Sequence, residues 1–272
     1  MRVHSSLPDA LTAAVGEVLR ELEHVAHGSA DPMRAAEAAA SDPDAIALLG
    51  PFRSRDVAEV VEATAPAGVP LLAPVATWAG ITRDDEPGCE DDPAHHLGTV
   101  LRMVARDTEV AARLAADVRA AGQRALVVAG EHEYGAQVDG QLELARLPRV
   151  RDAATADLVV LCGLAGGQEV ERAAATGLPV IAFDGVQGGT LLPGLRLVLP
   201  FSPGEDPTGT TAARRAASLV DEALRGGAPD RASLLAALRE LGPFDEHGDP
   251  VDPPVWLWRA AEDWTLEPDR PL

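Results

Sequence analysis

The sequence contains no lysine. Arginine alone supplies its 23 basic side chains, against 43 acidic ones, and the formal net charge is −20. Phosphate recognition needs clustered positive charge, so no nucleic-acid partner is expected. Only two cysteines are present. Cys162 lies in the apolar run LVVLCG and reads as a small buried hydrophobe, Cys89 lies in an acidic loop, and nothing supports a disulfide between them. No apolar run approaches the roughly 18 residues of a membrane span. The first 30 residues carry Asp9, Glu17, Arg20 and Glu21 where a secretory signal would be apolar. As read, the chain is expected in the cytoplasm; an upstream start would make it an extracellular lipoprotein. Catalytic motifs are also missing. GLAGGQ at residues 163–168 is neither a Walker loop nor GxGxxG, and there is no GxSxG elbow. His132 beside Tyr134 would be an acid–base pair only with a reactive substrate at hand. No catalytic residue and no cofactor is assigned, and the chain is read as a non-enzyme.

What is present is a repeated strand–helix alternation in 272 residues of 46% hydrophobic content, enough for one large or two medium domains. The richest stretch runs from Asp44 to Arg83. Ile46, Leu48 and Leu49 form an apolar run ending at Gly50. Ser54 stands where a helix N-cap belongs, ahead of Val57, Val60, Val61 and Ala63 at helical spacing. Val69 to Leu72 reads as the next buried strand. This is a βαβ unit whose loops carry Ser54 and Thr77, at the strand ends where open α/β sheets bind ligands.

The same alternation continues on both sides. Before this unit the pattern predicts a strand over 3–6, a helix over 11–22, a strand over 24–28 and a helix opened by Asp31 and Pro32. After it come a polar loop over 84–96, a strand over 100–104 and a helix over 107–121. Strands follow at 125–129, 158–161, 179–183 and 195–201, with helices from about Gly135, after the loop at 163, over 208–224 and over 231–241, then an aromatic strand at 255–258. Two βα series dividing near residue 104 predict two similar lobes; a single nine-stranded wound sheet is the competing arrangement.

The segments ALLGPFRSRDVAEVV, AGVPLLAPVAT, LRMVARDTEVAARLAADV, ALVVAGEHEYG, VIAFDGVQGG and FDEHGDPVDPPVWLWR, spread in order over residues 44–260, resemble the branched-chain amino-acid (Leu/Ile/Val) substrate-binding proteins of ABC transporters. The resemblance implies an α/β type 1 periplasmic binding fold: two Rossmann-like lobes joined by three crossovers, with a ligand cleft between them. It implies a first lobe of residues 1–104 and 205–240 and a second of 105–204 and 241–272. It assigns Ser54 to a ligand carboxylate, Ala76 and Thr77 to both ends of an amino acid, Tyr134 (before Gly135) to a lid over the ligand, and Asp184 (before Gly185) to the ammonium. The chain departs from the family in lacking the usual N-terminal loop with its aromatic contact, near Ser5 and Ser6, and a second aromatic where Leu164 and Ala165 stand.

An amino-acid zwitterion needs donors for its carboxylate and acceptors for its ammonium. Ser54 at a helix N-terminus, the Thr77 hydroxyl and the Asp184 carboxylate meet those needs, and contacts from both lobes would drive closure. Arg53 could add a carboxylate clamp. Each residue also has a structural alternative: Ser54 a cap, Thr77 a turn residue, Tyr134 packing, and Asp184 a DG turn. Trp78 could wall the cleft or sit in the core, and Trp256, Trp258 and Trp264 read as packing for the last strand. Cys89, Asp91, Asp92, His95 and His96 are metal-ligand types without a structural zinc spacing, so no metal is assigned. The expected function is binding of an amino acid or related small polar ligand. The expected partners are that ligand and a membrane permease if the chain is exported; a homodimer through the first lobe would fit the alternative that follows. The alternative is a cytoplasmic scaffold or regulatory protein that kept the fold and lost the ligand.

Overall fold

A computed structural model of the chain describes residues 1–83, 98–129, 133–162, 167–183, 193–205, 208–262 and 265–272. The chain divides into two compact units, residues 1–106 with 208–253 and residues 107–207 with 254–272, so it passes between them three times. The two series form two separate sheets, and the single nine-stranded sheet does not occur.

The first unit opens with β1 (Arg2–Ser5), α1 (Asp9–Val18), β2 (Glu23–Ala26), α2 (Pro32–Ser41), β3 (Ala45–Leu49), α3 (Ser54–Thr64), β4 (Leu71–Ala73) and β5 (Val100–Arg102). Its strands pair in parallel in the order β2-β1-β3-β4-β5. All five residues of β3 are buried, as a central parallel strand covered on both faces requires. Asp31 caps α2 by accepting from the Arg34 N–H at 3.0 Å, with Pro32 in the first turn where its missing N–H costs nothing. Ala35, Ala36 and Ala39 of α2 share one buried cluster with Val57, Val60 and Val61 of α3 and Leu48 and Leu71 of the sheet. Each fully buried valine contributes about 1.5–3 kcal/mol to that core.

The second unit follows with α4 (Asp107–Ala120), β6 (Ala125–Ala129), α5 (Glu133–Leu144), β7 (Arg149–Val150), β8 (Leu158–Cys162), α6 (Gly167–Ala174), β9 (Val180–Phe183) and β10 (Arg196–Leu199). The chain then returns to the first unit for α7 (Thr210–Arg225) and α8 (Arg231–Leu241). It ends in the second with β11 (Trp256–Ala260) and β12 (Leu266–Pro271). The second sheet runs β12-β11-β10-β9-β8-β6-β7, with β11 and β12 antiparallel to their neighbours and the rest parallel. Trp258 is 3% exposed and its indole N–H donates to Phe201 O at 3.3 Å, so it packs as expected, while Trp264 lies outside the described residues. Among the described residues no helix is long and apolar enough to cross a membrane.

Two of the three crossovers fall within three residues of the expected bounds, and the third differs. Residues 241–253, assigned in sequence to the second lobe, belong to the first unit. The Arg102 N–H donates to Gly248 O at 2.8 Å, so the turn at 245–249 lies against the edge strand β5. Gly248 has φ +92°, and a Cβ there would meet Val100 O at 2.2 Å; only glycine lets the turn lie this close.

Candidate ligand-binding site

The site elements of the first unit converge at the carboxyl ends of β3 and β4. β3 ends in Gly50, whose N–H donates to Leu72 O at 2.8 Å and whose φ is +99°. A Cβ at Gly50 would stand 2.6 Å from Ser6 O, so this turn too requires glycine. It delivers exposed Phe52 and Arg53 and then α3.

Ser54 is not the N-cap that its residue type predicts. Arg53 occupies that position in an extended conformation, Ser54 is the first helical residue, and no side chain caps α3. The Ser54 hydroxyl points across to the next loop instead. Its oxygen accepts from the backbone N–H groups of Thr77 and Trp78, both at 3.2 Å. Its own proton is not spent within the described residues. A helix that leaves its first-turn N–H groups uncapped keeps them, and the positive end of its dipole, for other acceptors.

Ala76 and Thr77 sit on the loop after β4 and are 1% and 5% exposed. The Thr77 hydroxyl makes no hydrogen bond within the described residues. Trp78 does not wall the site. Its indole turns back onto the core cluster of the first unit and lies over Gly80, where a Cβ would meet the ring at 2.8 Å.

A buried ion cluster holds this loop from below. Arg102, on β5, is fully buried and donates from Nη1 to Ala76 O at 2.8 Å and from Nη2 to Trp78 O at 2.7 Å. Its Nη2 also reaches Thr82 Oγ1 at 3.0 Å, and its Nε donates to Asp249 Oδ1 at 3.0 Å. Asp249, 2% exposed, further accepts from Thr82 Oγ1 at 2.7 Å and from Arg83 Nε at 2.9 Å, and lies 3.5 Å from Arg106 Nε. Arg83 also pairs with Asp245. Burial pushes the Asp249 carboxyl up, but the Arg102 charge, the Thr82 and Arg83 hydrogen bonds and the Arg106 charge together outweigh it and hold the group below the ordinary range. Neither Arg102 nor Asp249 stands out in sequence. The one available signal is an arginine inside the otherwise apolar strand run VLRMV.

In the second unit Tyr134 lies in the first turn of α5, half-buried, and its hydroxyl donates to Asp107 Oδ1 at 3.3 Å. Asp184 and Gly185 lie outside the described residues, as do His132, Leu164, Ala165 and the whole group Cys89, Asp91, Asp92, His95 and His96. Among the described residues no cluster of three or more His, Cys, Asp or Glu side chains is arranged to hold a metal ion.

No family model matches the sequence, and no curated protein does. Solved structures do match over essentially the full length. An ABC transporter substrate-binding protein from Desulfitobacterium hafniense, in complex with Leu, is 22% identical with a TM-score of 0.76, over 99% of each chain. A leucine-binding protein from Thermotoga maritima is 17% identical with a TM-score of 0.73, over 100% of this chain and 98% of its own. A solute-binding protein of an ABC transporter from R. palustris, in complex with benzoate, is 16% identical with a TM-score of 0.72, over 99% and 95%. The chain therefore has the type 1 periplasmic binding fold of the branched-chain amino-acid substrate-binding proteins.

Proposed function

We propose that this chain is a non-enzymatic binding protein for an amino acid or a closely related small carboxylate. The observation that carries the reading is the start of α3. Among the described residues no side chain caps this 11-residue helix, and two hydroxyls keep unspent protons: Ser54 in its first turn and the 95%-buried Thr77 on the loop that meets it. Together they offer a carboxylate two O–H donors and first-turn N–H groups at the positive end of a dipole. The Ala76 carbonyl keeps a second lone pair for an ammonium beside its bond from Arg102. From the second unit, Tyr134 would close over the ligand and Asp184 would take the ammonium. That neighbours of this fold are described with Leu and with benzoate, both carboxylates, supports the ligand class. If the chain is exported, its partner is the membrane permease that receives the ligand.

The test is a thermal-shift screen of the purified chain against amino acids, their keto acids, small amides and benzoate, run beside Asp184→Ala. A ligand at 100 times its dissociation constant stabilises by about 2.7 kcal/mol. A shift with an amino acid that is lost in Asp184→Ala is the expected result. No shift with any compound would sink the reading.

A further inference from the structure

We infer that Asp249 is a positioning residue for the ligand loop: acting through Arg102, it fixes the two carbonyls that flank Thr77. The inference rests on the proposed function only in naming that loop as the ligand loop.

The backbone from Ala76 to Trp78 is outside any strand or helix, and two side chains hold its polar groups. Ser54 Oγ takes the Thr77 and Trp78 N–H groups, and the Arg102 guanidinium takes the Ala76 and Trp78 carbonyls. A guanidinium is planar, so the bond at Nε sets the plane in which both Nη groups are presented. That bond goes to Asp249 Oδ1. Thr82 locks the pair from the side, donating to Asp249 Oδ1 and accepting from Arg102 Nη2.

Asp249 is itself placed independently of the loop. Asp245 Oδ1 accepts from the Asp249 N–H at 3.0 Å and from the His247 N–H at 2.9 Å, folding residues 245–249 into a turn that Gly248 presses against β5. The chain of cause therefore runs from the turn to Asp249, to Arg102, to the loop carbonyls and so to the attitude of Thr77. An asparagine at 249 could still accept from Arg102 Nε, but it would have no charge, and its NH₂ would stand against the Arg83 or Arg106 donors.

The experiment compares the full-length wild type with Asp249→Asn, Asp249→Glu and Thr82→Val. It measures residue-resolved amide exchange without ligand and calorimetric affinity for L-leucine. In Asp249→Asn, exchange at Thr77 and Trp78 should speed up at least tenfold while β1 and β3 keep their protection. Leucine affinity should fall at least tenfold. Asp249→Glu, which keeps the charge, should recover part of both effects; a residue serving only general stability would instead alter protection throughout the unit. Thr82→Val should show the same local pattern more weakly, and it decides the matter if Asp249→Asn does not fold. Wild-type exchange at Thr77 and Trp78 in a folded Asp249→Asn, or in Thr82→Val where only that variant folds, overturns the inference. A wild type that shows the local exchange pattern in its variants but binds no leucine leaves the positioning role standing and counts against leucine as the ligand.

Discussion

Ser54→Ala separates bracing of the loop, which the Ser54 contacts to Thr77 and Trp78 supply, from the carboxylate binding proposed for the same hydroxyl. Without ligand, the change removes the acceptor of the Thr77 and Trp78 N–H groups, each 3.2 Å away. Ser54 is half-buried, so water replaces part of what is lost, and the cost to the unliganded protein is about 1–2 kcal/mol. With ligand, a hydrogen bond to a charged group is also lost, worth about 2 kcal/mol, or roughly thirtyfold in affinity. At a concentration about 100 times the wild-type dissociation constant, the variant sees ligand at only about three times its own. Ligand stabilisation then falls from about 2.7 to roughly 0.9 kcal/mol. For a domain of 150–250 residues, where 1 kcal/mol moves the midpoint by roughly 2–4 °C, the ligand-induced shift falls from roughly 5–11 °C to roughly 2–4 °C. Differential scanning fluorimetry with and without the best compound of the screen reads both quantities in one plate. An unliganded midpoint that drops while the ligand increment stays at its wild-type size would refute the binding role and leave Ser54 a brace.

Three further predictions concern the scaffold. Arg231, at the start of α8, donates to four carbonyls: Ala45 O and Ala67 O at 2.7 Å, Ala39 O at 3.1 Å and Asp42 O at 2.6 Å. Arg231→Met should destabilise the protein by about 3–5 kcal/mol, read as a lowered urea midpoint; a change within error would show that water satisfies those carbonyls. Burial, then the charge of His4, holds the His24 and His27 imidazoles below the ordinary histidine range, with smaller contributions from His27 on His24 and Arg34 on His27. Their folded pKa values lie below the unfolded value near 6.5, so the stability they contribute is present above about pH 6.5 and is lost as pH falls through the folded values. Thermal midpoints should decline over that window, and His27→Gln should flatten the decline; an unchanged slope would exclude His27 as a source. Burial, reinforced by the Asp139 charge, pushes the Cys162 thiol up to about 12. Iodoacetamide at pH 8 should leave the Cys162 peptide unmodified in the native protein and label it in urea, and native labelling would contradict the burial.

Local chemistry made most elements legible. The Asp31–Pro32 start of α2, the apolar run of β6 and the bounds of α8 could be read from neighbouring residues, and each is where those residues place it. β12 could not be read this way. Its sequence LEPDRP has two prolines and three charges and no alternation, and it forms because the edge of a sheet tolerates residues that a central strand rejects. Ser54 shows a subtler limit. Its residue type and place predict a cap, yet its partners lie 23 and 24 residues away, on a loop that only the βαβ turn brings near. The Arg102–Asp249 pair spans 147 residues, and no periodicity relates its two ends.

That long-range pair bears on how the site could bind at all. Ordering a residue's backbone costs about 1–2 kcal/mol, so three irregular residues from Ala76 to Trp78 would cost a ligand about 3–6 kcal/mol if it had to order them itself. Here the ordering is already supplied by Ser54 from one side and Arg102 from the other, in the protein without ligand. What stays free among the described residues is the Thr77 hydroxyl, the Ser54 proton and the first-turn N–H groups of α3, all of them donors. Under the proposed function, a carboxylate meeting such a surface would lose its own freedom and its water but would not have to build the loop, so a few short hydrogen bonds would suffice for a measurable affinity.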